Sequence, residues 1–342
     1  MEPVTVAIAT PIESKLVERI RCVDARLDVL FEPDLLPPPR YPSDHGGEPG
    51  FTRTPEQEER FRHLVAGAEV SLGFPNESPA GLAWLVRTAP NLRFVQCMYA
   101  GAGQQVRAAS LTVEELDRVT FASSSGVHAV PLAEWSLFGI LALTKGLPRL
   151  LRDKRERRWD HYPLSELPGK TLLLVGRGEI GREVARLARE FGMRVLAVKR
   201  TADETAAGPD RLDELVGEAD AIVVTLPLTD ETRGLIGRNT IARMRDGAIL
   251  VNVGRGAVID EEALVDALTS GKLAGAALDV FAEEPLPASS PLWELENVIL
   301  SPHTAALSLR ENERIVELFA ENLGRYLRGE ELLSRIRTSV YY

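Results

Sequence analysis

The segment TLLLVGRGEIG, Thr171 to Gly181, constrains the chain more than any other stretch. An unbroken apolar run of strand length passes into glycines at 176, 178 and 181, spaced G-x-G-x-x-G. Beyond them Val184, Leu187, Ala188 and Phe191 recur at i, i+3, i+4 and i+7, which predicts a helix. A strand, a glycine turn and a helix within about thirty residues form the context in which this pattern binds a dinucleotide. Gly176 permits the tight turn, Gly178 lets a pyrophosphate approach the backbone, and Gly181 lets helix and strand pack closely. Arg177, Glu179 and Ile180 complete the loop, whose free N–H groups and helix dipole face the phosphates.

The next strand, RVLAV, ends in Lys199, Arg200 and Thr201, with Lys199 18 residues after Gly181. An acid at that place accepts the ribose hydroxyls and repels a 2′-phosphate. Two cations and a hydroxyl do the reverse, because Lys and Arg form charge-assisted hydrogen bonds with phosphate. The pocket therefore predicts NADP(H). NAD(H) remains possible if Lys199 and Arg200 are solvated and Asp203 or Glu204 reaches back to the ribose.

Around this unit the chain alternates strand-like and helical stretches, the pattern of an α/β protein with parallel sheets and crossover helices. Strands are expected at Val4–Thr10, Leu27–Glu32, Ala68–Phe74 and Leu92–Met98, with helices at Pro55–Ala66 and Ala80–Thr88. The Pro/Gly-rich stretch from Pro33 to Gly50 should be an irregular surface excursion rather than a lid. A second α/β series begins near Phe121 with one long helix over Val130–Leu151. The mixed-charge run Leu151–Asp160 follows as a solvated connection. Further strands are expected at Ala221–Pro227, Ala248–Val253, Gly275–Val280 and Asn297–Pro302, and a last helix at Leu309–Arg328.

The 342 residues allow two domains. A net charge of −10 argues against a general nucleic-acid binder. The longest apolar run, Trp135–Thr144, is half of what a membrane span needs (roughly 20 residues). Cys22 and Cys97 suggest no disulfide framework, and the N-terminus shows no secretory pattern, so a cytoplasmic protein is expected. Cys97 reads as a small buried apolar residue, and His128 and His161 as structural. Tyr341 and Tyr342 could reach a cleft, although termini are usually loose.

Three more pieces sit just past predicted strands: VNVGRGAVIDEEAL around Arg255, LDVFAEEPL around Glu284 and SPHTAAL around His303. Ligands of open α/β sheets bind at that end of the strands. Reduction of a 2-keto acid needs a cation for the carboxylate, an acid for the forming alkoxide, and a carboxylate that orients the acid. Arg, His and Glu supply those three roles at neutral pH. Taken singly, each is more often a surface ion pair, a loop residue or a solvated acidic turn.

In order and spacing, GRGEIG, LPLTDETRGLIG, NVGRGAVIDEEAL, LDVFAEEP and SPH resemble the D-isomer-specific 2-hydroxyacid dehydrogenase family, from about Gln96 to Arg328. The likeness leans towards its NADPH-dependent glyoxylate/hydroxypyruvate reductases. The resemblance implies two Rossmann-like or flavodoxin-like domains, with a cofactor domain of about 121–301 inserted into a substrate domain of 1–120 plus 302–342. It implies a cleft between them and a homodimer built on the Val130–Leu151 helix. It makes Arg255 the carboxylate ligand, His303 the acid/base and Glu284, directly before Pro285, the partner of His303. Asp279 would fix the nicotinamide carboxamide, with Leu226, Pro227, Thr232, Val253, Arg255 and His303 around the cofactor. Backbone N–H groups of Tyr99, Ala100, Gly101 and Ala102 would grip the carboxylate, although Ala102-Gly103 departs from the usual Ala-Gly-Val-Asp-like loop. SPHTAALS likewise departs from the commoner Gly-containing versions. No metal is implied, and the small-molecule partner is a 2-keto or 2-hydroxy acid. A related reading is a corepressor-like dinucleotide sensor with little turnover; the complete Arg/Glu/His set speaks against it.

Overall fold

Val4–Ile8, β1, is the first of the expected apolar runs, and Val6, Ala7 and Ile8 are fully buried in the computed structural model, which describes residues 3–339 and 341. It is followed by α1 (Ser14–Arg21), β2 (Leu27–Leu30), α2 (Pro55–Ala66), β3 (Val70–Leu72), α3 (Pro79–Thr88) and β4 (Phe94–Gln96). Two short helices, α4 (Gly103–Ala108) and α5 (Val113–Arg118), lead to β5 (Thr120–Ala122). The start of α2 shows how locally such boundaries are set. Thr54 accepts from Gln57 N while Gln57 returns its side chain to Thr54 N, and Pro55 occupies the first turn, where its missing N–H costs nothing.

The five strands form one parallel sheet in the order β2-β1-β3-β4-β5. β5 therefore closes the first sheet, pairing Phe121 with Val95, rather than opening the second series as its position near Phe121 suggested. The chain divides into one unit up to His128 and from Leu307 onward, and another over Ala129–Ala306. In the first unit α12 (Glu311–Arg328) returns beside α1 and buries Ile315, Val316, Phe319 and Leu323. The segment beyond it is tied down, since Ile336 N donates to Phe121 O at 2.8 Å. Tyr341 packs against the same core, contrary to the expectation of a loose end, and Tyr342 lies outside the described residues.

In the second unit α6 (Ala129–Thr144) and α7 (Leu147–Glu156) replace the single long helix expected over Val130–Leu151. Gly146, at φ +64°, takes the left-handed conformation that ends α6, and the pair bends by 57°. Much of the charge run from Leu151 is accordingly the end of α7, not a connection. Among the described residues no single helix is long and apolar enough to cross a membrane.

The remaining elements are β6 (Thr171–Val175), α8 (Glu179–Glu190), β7 (Arg194–Val198), α9 (Leu212–Leu215), β8 (Ala221–Val224), α10 (Arg238–Arg243), β9 (Ala248–Asn252), α11 (Glu261–Thr269), β10 (Leu273–Leu278) and β11 (Val298–Leu300). They build a parallel sheet in the order β11-β10-β9-β8-β6-β7. Chain order reverses between β6 and β8, and the glycine loop lies at that switch point, where such sheets take their ligands. α8 buries Gly181, Val184, Ala185 and Ala188, whereas Phe191 caps the helix and is 43% exposed. The apolar pattern thus runs one residue past the end of the helix at Glu190. Both units are α/β with parallel strands only, as expected.

The excursion from Pro33 to Gly50 is irregular apart from one short turn, Pro33–Leu35, but it is not merely superficial. Ser43, Asp44 and His45 are buried in the first unit. Nearby, Glu77 is buried after β3, one carboxylate oxygen accepting from Phe74 N at 3.2 Å and the other without a partner. Burial pushes its carboxyl up to about 8, against the opposing pull of the Phe74 N–H and Thr10. The unfolded chain ionises this group at the ordinary carboxylate value, so it binds fewer protons than the fold between about 4.5 and 8. Stability should thus fall as pH rises through that window and then level. Glu77→Gln should flatten this part of the profile, by roughly 5 kcal/mol at most, in urea unfolding compared at both ends of the window. An unchanged slope would mean that Glu77 is not the group responsible.

Candidate functional site

The glycine loop turns on Gly176, at φ +109°, and packs on Gly181, where a Cβ would lie 2.3 Å from the Gly176 carbonyl oxygen. Thr225, just past β8, donates its hydroxyl to that oxygen at 3.0 Å and locks the two strand ends together. Nothing lies within 4 Å of a Cβ built on Gly178, at the N-cap of α8. The helix N-terminus is therefore open where an anion would sit on its N–H groups. Val253 is buried beside it in the sheet core, while Leu226 and Pro227 remain partly or fully accessible. Thr232 holds its own turn, donating to Pro227 O at 2.7 Å and accepting from Thr229 N at 2.8 Å, on a partly accessible side chain.

At the end of β7, Lys199 is paired with Asp203. Asp203 in turn accepts from Thr205 N and Ala206 N, and its carboxyl is held far below the usual range by Lys199 first and Thr205 second. Asp203 is thus committed to its own turn. Arg200 and Thr201 are exposed, and Arg177 reaches the Thr205 carbonyl at 2.9 Å. Four groups that favour a phosphate, Arg177, Lys199, Arg200 and Thr201, border this turn. Together with the open glycine loop they fit a dinucleotide.

Arg255 follows β9 in a collar made by Asn252. The Asn252 amide donates to Arg255 O at 3.1 Å and accepts from Gly254 N at 3.0 Å, and Arg255 Nη1 donates to Gly254 O at 2.7 Å. The remaining guanidinium N–H groups have no acceptor among the described residues, on a half-buried side chain. Asn252 was not singled out in the sequence, although its place in NVGRG was the available signal.

Past β10, Glu284 Oε1 accepts from Phe281 N at 3.0 Å, and Oε2 lies 2.7 Å from His303 Nδ1. Burial alone would raise this carboxyl. The His303 hydrogen bond, the Phe281 N–H and the charges of His303 and Arg255 outweigh it and hold Glu284 below its usual value. Glu284 therefore stays ionised and accepts a hydrogen bond from the ring's Nδ1–H, which leaves Nε2 as the imidazole's free edge. His303 is itself in the left-handed region, at φ +53°. Asp279, 1% exposed, maintains that conformation: Oδ1 accepts from Ser301 Oγ, Thr304 N and Ala305 N, and its carbonyl from His303 N. In this structure Asp279 scaffolds the loop that carries the imidazole. Arg255, Glu284 and His303 come together within the second unit; Tyr99, Ala100, Gly101 and Ala102 lie in the first, at the carboxyl end of β4. His128, for which the sequence offered no partner, binds Glu311 Oε1 at 3.0 Å across 183 residues of chain.

Residues 137–305 match the family described as D-isomer specific 2-hydroxyacid dehydrogenase, NAD binding domain. A glyoxylate reductase of Korarchaeum cryptofilum is 38% identical over 261 residues, 72% of this chain and 77% of that protein. A D-isomer specific 2-hydroxyacid dehydrogenase family protein from Aeromonas salmonicida is 27% identical, with TM-score 0.77 over 98% of this chain and all of that one. A D-isomer specific 2-hydroxyacid dehydrogenase from Xanthobacter autotrophicus, solved with NADPH and MES, is 27% identical with TM-score 0.75 and the same coverage. The chain belongs to the D-isomer-specific 2-hydroxyacid dehydrogenase family. It is an NAD(P)-dependent 2-hydroxyacid dehydrogenase.

Proposed function

We propose that this enzyme reduces a 2-keto acid to the D-2-hydroxy acid with NADPH, and that the Glu284–His303 pair beside Arg255 is its catalytic centre. The observation that carries this reading is the 2.7 Å contact between Glu284 Oε2 and His303 Nδ1, in reach of the Arg255 charge. Arg255 binds the substrate carboxylate through the N–H groups left free by its collar and polarises the carbonyl. The reduced nicotinamide supplies the hydride that the carbonyl carbon accepts. His303, doubly protonated, delivers the Nε2 proton to the carbonyl oxygen as it becomes an alkoxide, and Glu284 stabilises the imidazolium beforehand. Gly176 to Gly181 would hold the pyrophosphate, and Asp279, Leu226, Pro227, Thr232 and Val253 the nicotinamide half. The 38%-identical glyoxylate reductase supports the substrate class.

NADP(H) preference follows from the cation border, and the dehydrogenase solved with NADPH supports it. Replacing Lys199 by Asp and Arg200 by Ala should move the NADPH/NADH ratio of kcat/KM towards NADH by roughly 10- to 100-fold, the worth of one or two charged hydrogen bonds. An unchanged ratio refutes the 2′-phosphate pocket. Because Lys199 is already paired with Asp203, Arg200→Ala alone should account for most of the shift. A cytoplasmic homodimer is part of this reading. Free Cys22 and Cys97 agree with a reducing compartment, and Phe138, Leu150 and Leu151 on α6 and α7 expose apolar surface of the kind a dimer covers. A screen of glyoxylate, hydroxypyruvate and phenylpyruvate with both reduced nicotinamides tests the whole reading. Consumption with none of them favours a dinucleotide sensor instead.

A further inference from the structure

The turn after β7 carries an anion of its own beside the cations assigned to the 2′-phosphate. Its backbone is closed: Lys199 N donates to Ala207 O at 3.0 Å, Ala207 N to Ala197 O at 2.9 Å, and Asp203 N to Ala206 O at 3.0 Å. Ala206 is buried, and Arg177 of the glycine loop holds the turn through Thr205 O at 2.9 Å. The turn is thus fastened both to the sheet and to the glycine loop.

Asp203 engages both of its carboxylate oxygens inside this turn. Oδ1 accepts from Thr205 N at 2.9 Å, Thr205 Oγ1 at 2.7 Å and Ala206 N at 3.1 Å, and Oδ2 pairs with Lys199 Nζ. Backbone N–H groups, a hydroxyl and an ammonium gathered round one anion are the groups that would otherwise hold a phosphate oxygen. A carboxylate so held cannot turn to accept from the ribose hydroxyls, the role by which an acid after this strand selects NAD. It acts instead as a fixed counter-charge, kept ionised by Lys199 first and Thr205 second. Its charge cancels that of Lys199, so the pair offers an incoming phosphate no net attraction. Arg200 and Glu204, both exposed, make no hydrogen bond or ion pair among the described residues.

We propose that Asp203 is a specificity-determining residue for the cofactor: it holds Lys199 as an internal substitute for the 2′-phosphate, and so restrains the NADPH preference of the pocket and keeps NADH usable. The assignment rests on the 2′-phosphate pocket proposed above and adds to it a residue that opposes that pocket. NADPH binds in competition with Asp203 for Lys199. NADH brings no phosphate to compete and meets the pair intact.

Asp203→Asn keeps an oxygen for Thr205 and Ala206 and removes only the charge. The variant should lower the Kd of NADPH about tenfold and leave that of NADH within about threefold, read by fluorescence titration with no keto acid present. Adding Lys199→Ala should return NADPH affinity to near wild type, because the released ammonium is what the phosphate gains. Glu204→Gln removes an equal charge from the same turn but breaks no pair, and should shift NADPH affinity by less than about threefold. An unchanged NADPH/NADH ratio of Kd in Asp203→Asn, a gain that survives Lys199→Ala, or an equal gain from Glu204→Gln overturns the assignment. If the combined Lys199→Asp and Arg200→Ala replacement also leaves that ratio unchanged, the 2′-phosphate pocket itself falls; if it moves the ratio, only the role of Asp203 does.

Discussion

His303→Ala should lower kcat for keto-acid reduction by at least about a hundredfold, the lower end of what a positioned acid/base contributes. The expectation rests on geometry rather than on residue type. Glu284 fixes the Nδ1 edge at 2.7 Å, so a single ring nitrogen is left to meet the substrate, and the carboxylate is held ionised opposite the imidazolium. Losing the ring removes the proton donor but none of the glycine loop, so NADPH affinity, measured by fluorescence titration, should stay within a few-fold of wild type. The pH dependence has a definite sign. Reduction consumes the protonated imidazole and should fall as pH rises and that proton is lost; oxidation of the hydroxy acid needs the neutral ring and should rise. A variant with unimpaired turnover, or a reduction rate flat across the range from about pH 5 to 9, would remove His303 from the mechanism.

Arg255→Gln should lower kcat/KM for the keto acid by about a hundred- to a thousandfold, the loss of a forked pair of charged hydrogen bonds at roughly 1.5–2 kcal/mol each. The collar around Asn252 spends one guanidinium nitrogen on Gly254 O and holds the backbone on both sides, so the remaining donors are aimed before any substrate arrives. Arg255→Lys should recover only a small part, because an ammonium cannot form the forked pair that a planar guanidinium offers a carboxylate. Full recovery with Lys would show that charge alone suffices. No effect of Gln on kcat/KM would place the carboxylate elsewhere.

Much of this was legible in the sequence because it is local. TLLLVGRGEIG encodes its strand, turn and helix within one stretch of chain, and each reactive residue follows an apolar run that could only be a buried strand. What was not legible depends on partners distant in the chain. Nothing in TFA at 120–122 says that it adds to β4 rather than opening a new sheet; that is decided by pairing with Phe94–Gln96 and with the segment beyond α12. The break at Gly146 was missed because Leu147, Leu150 and Leu151 continue an apolar pattern across a residue that happens to turn left-handed. A stretch rich in Pro and Gly reads as exterior, yet Ser43–His45 are drawn inside by Asn312, Ser308 and Thr10, none of them close in sequence. Lys199 does directly follow β7, but its pairing with Asp203 shifts the weight of the proposed phosphate recognition towards Arg200.

The left-handed backbone at His303 has one more consequence. A side chain bearing a Cβ rests there only against resistance, and the restraint comes from Asp279, whose single oxygen gathers the three donors that follow β11. Erosion of that oxygen would release the segment towards an easier conformation and swing the imidazole off its carboxylate, while both sheets stayed whole. Such a protein would still fold and be expressed, yet it would be chemically mute. Donors buried around that oxygen would lose their acceptor as well, so the silenced chemistry would come with a measurable fall in stability.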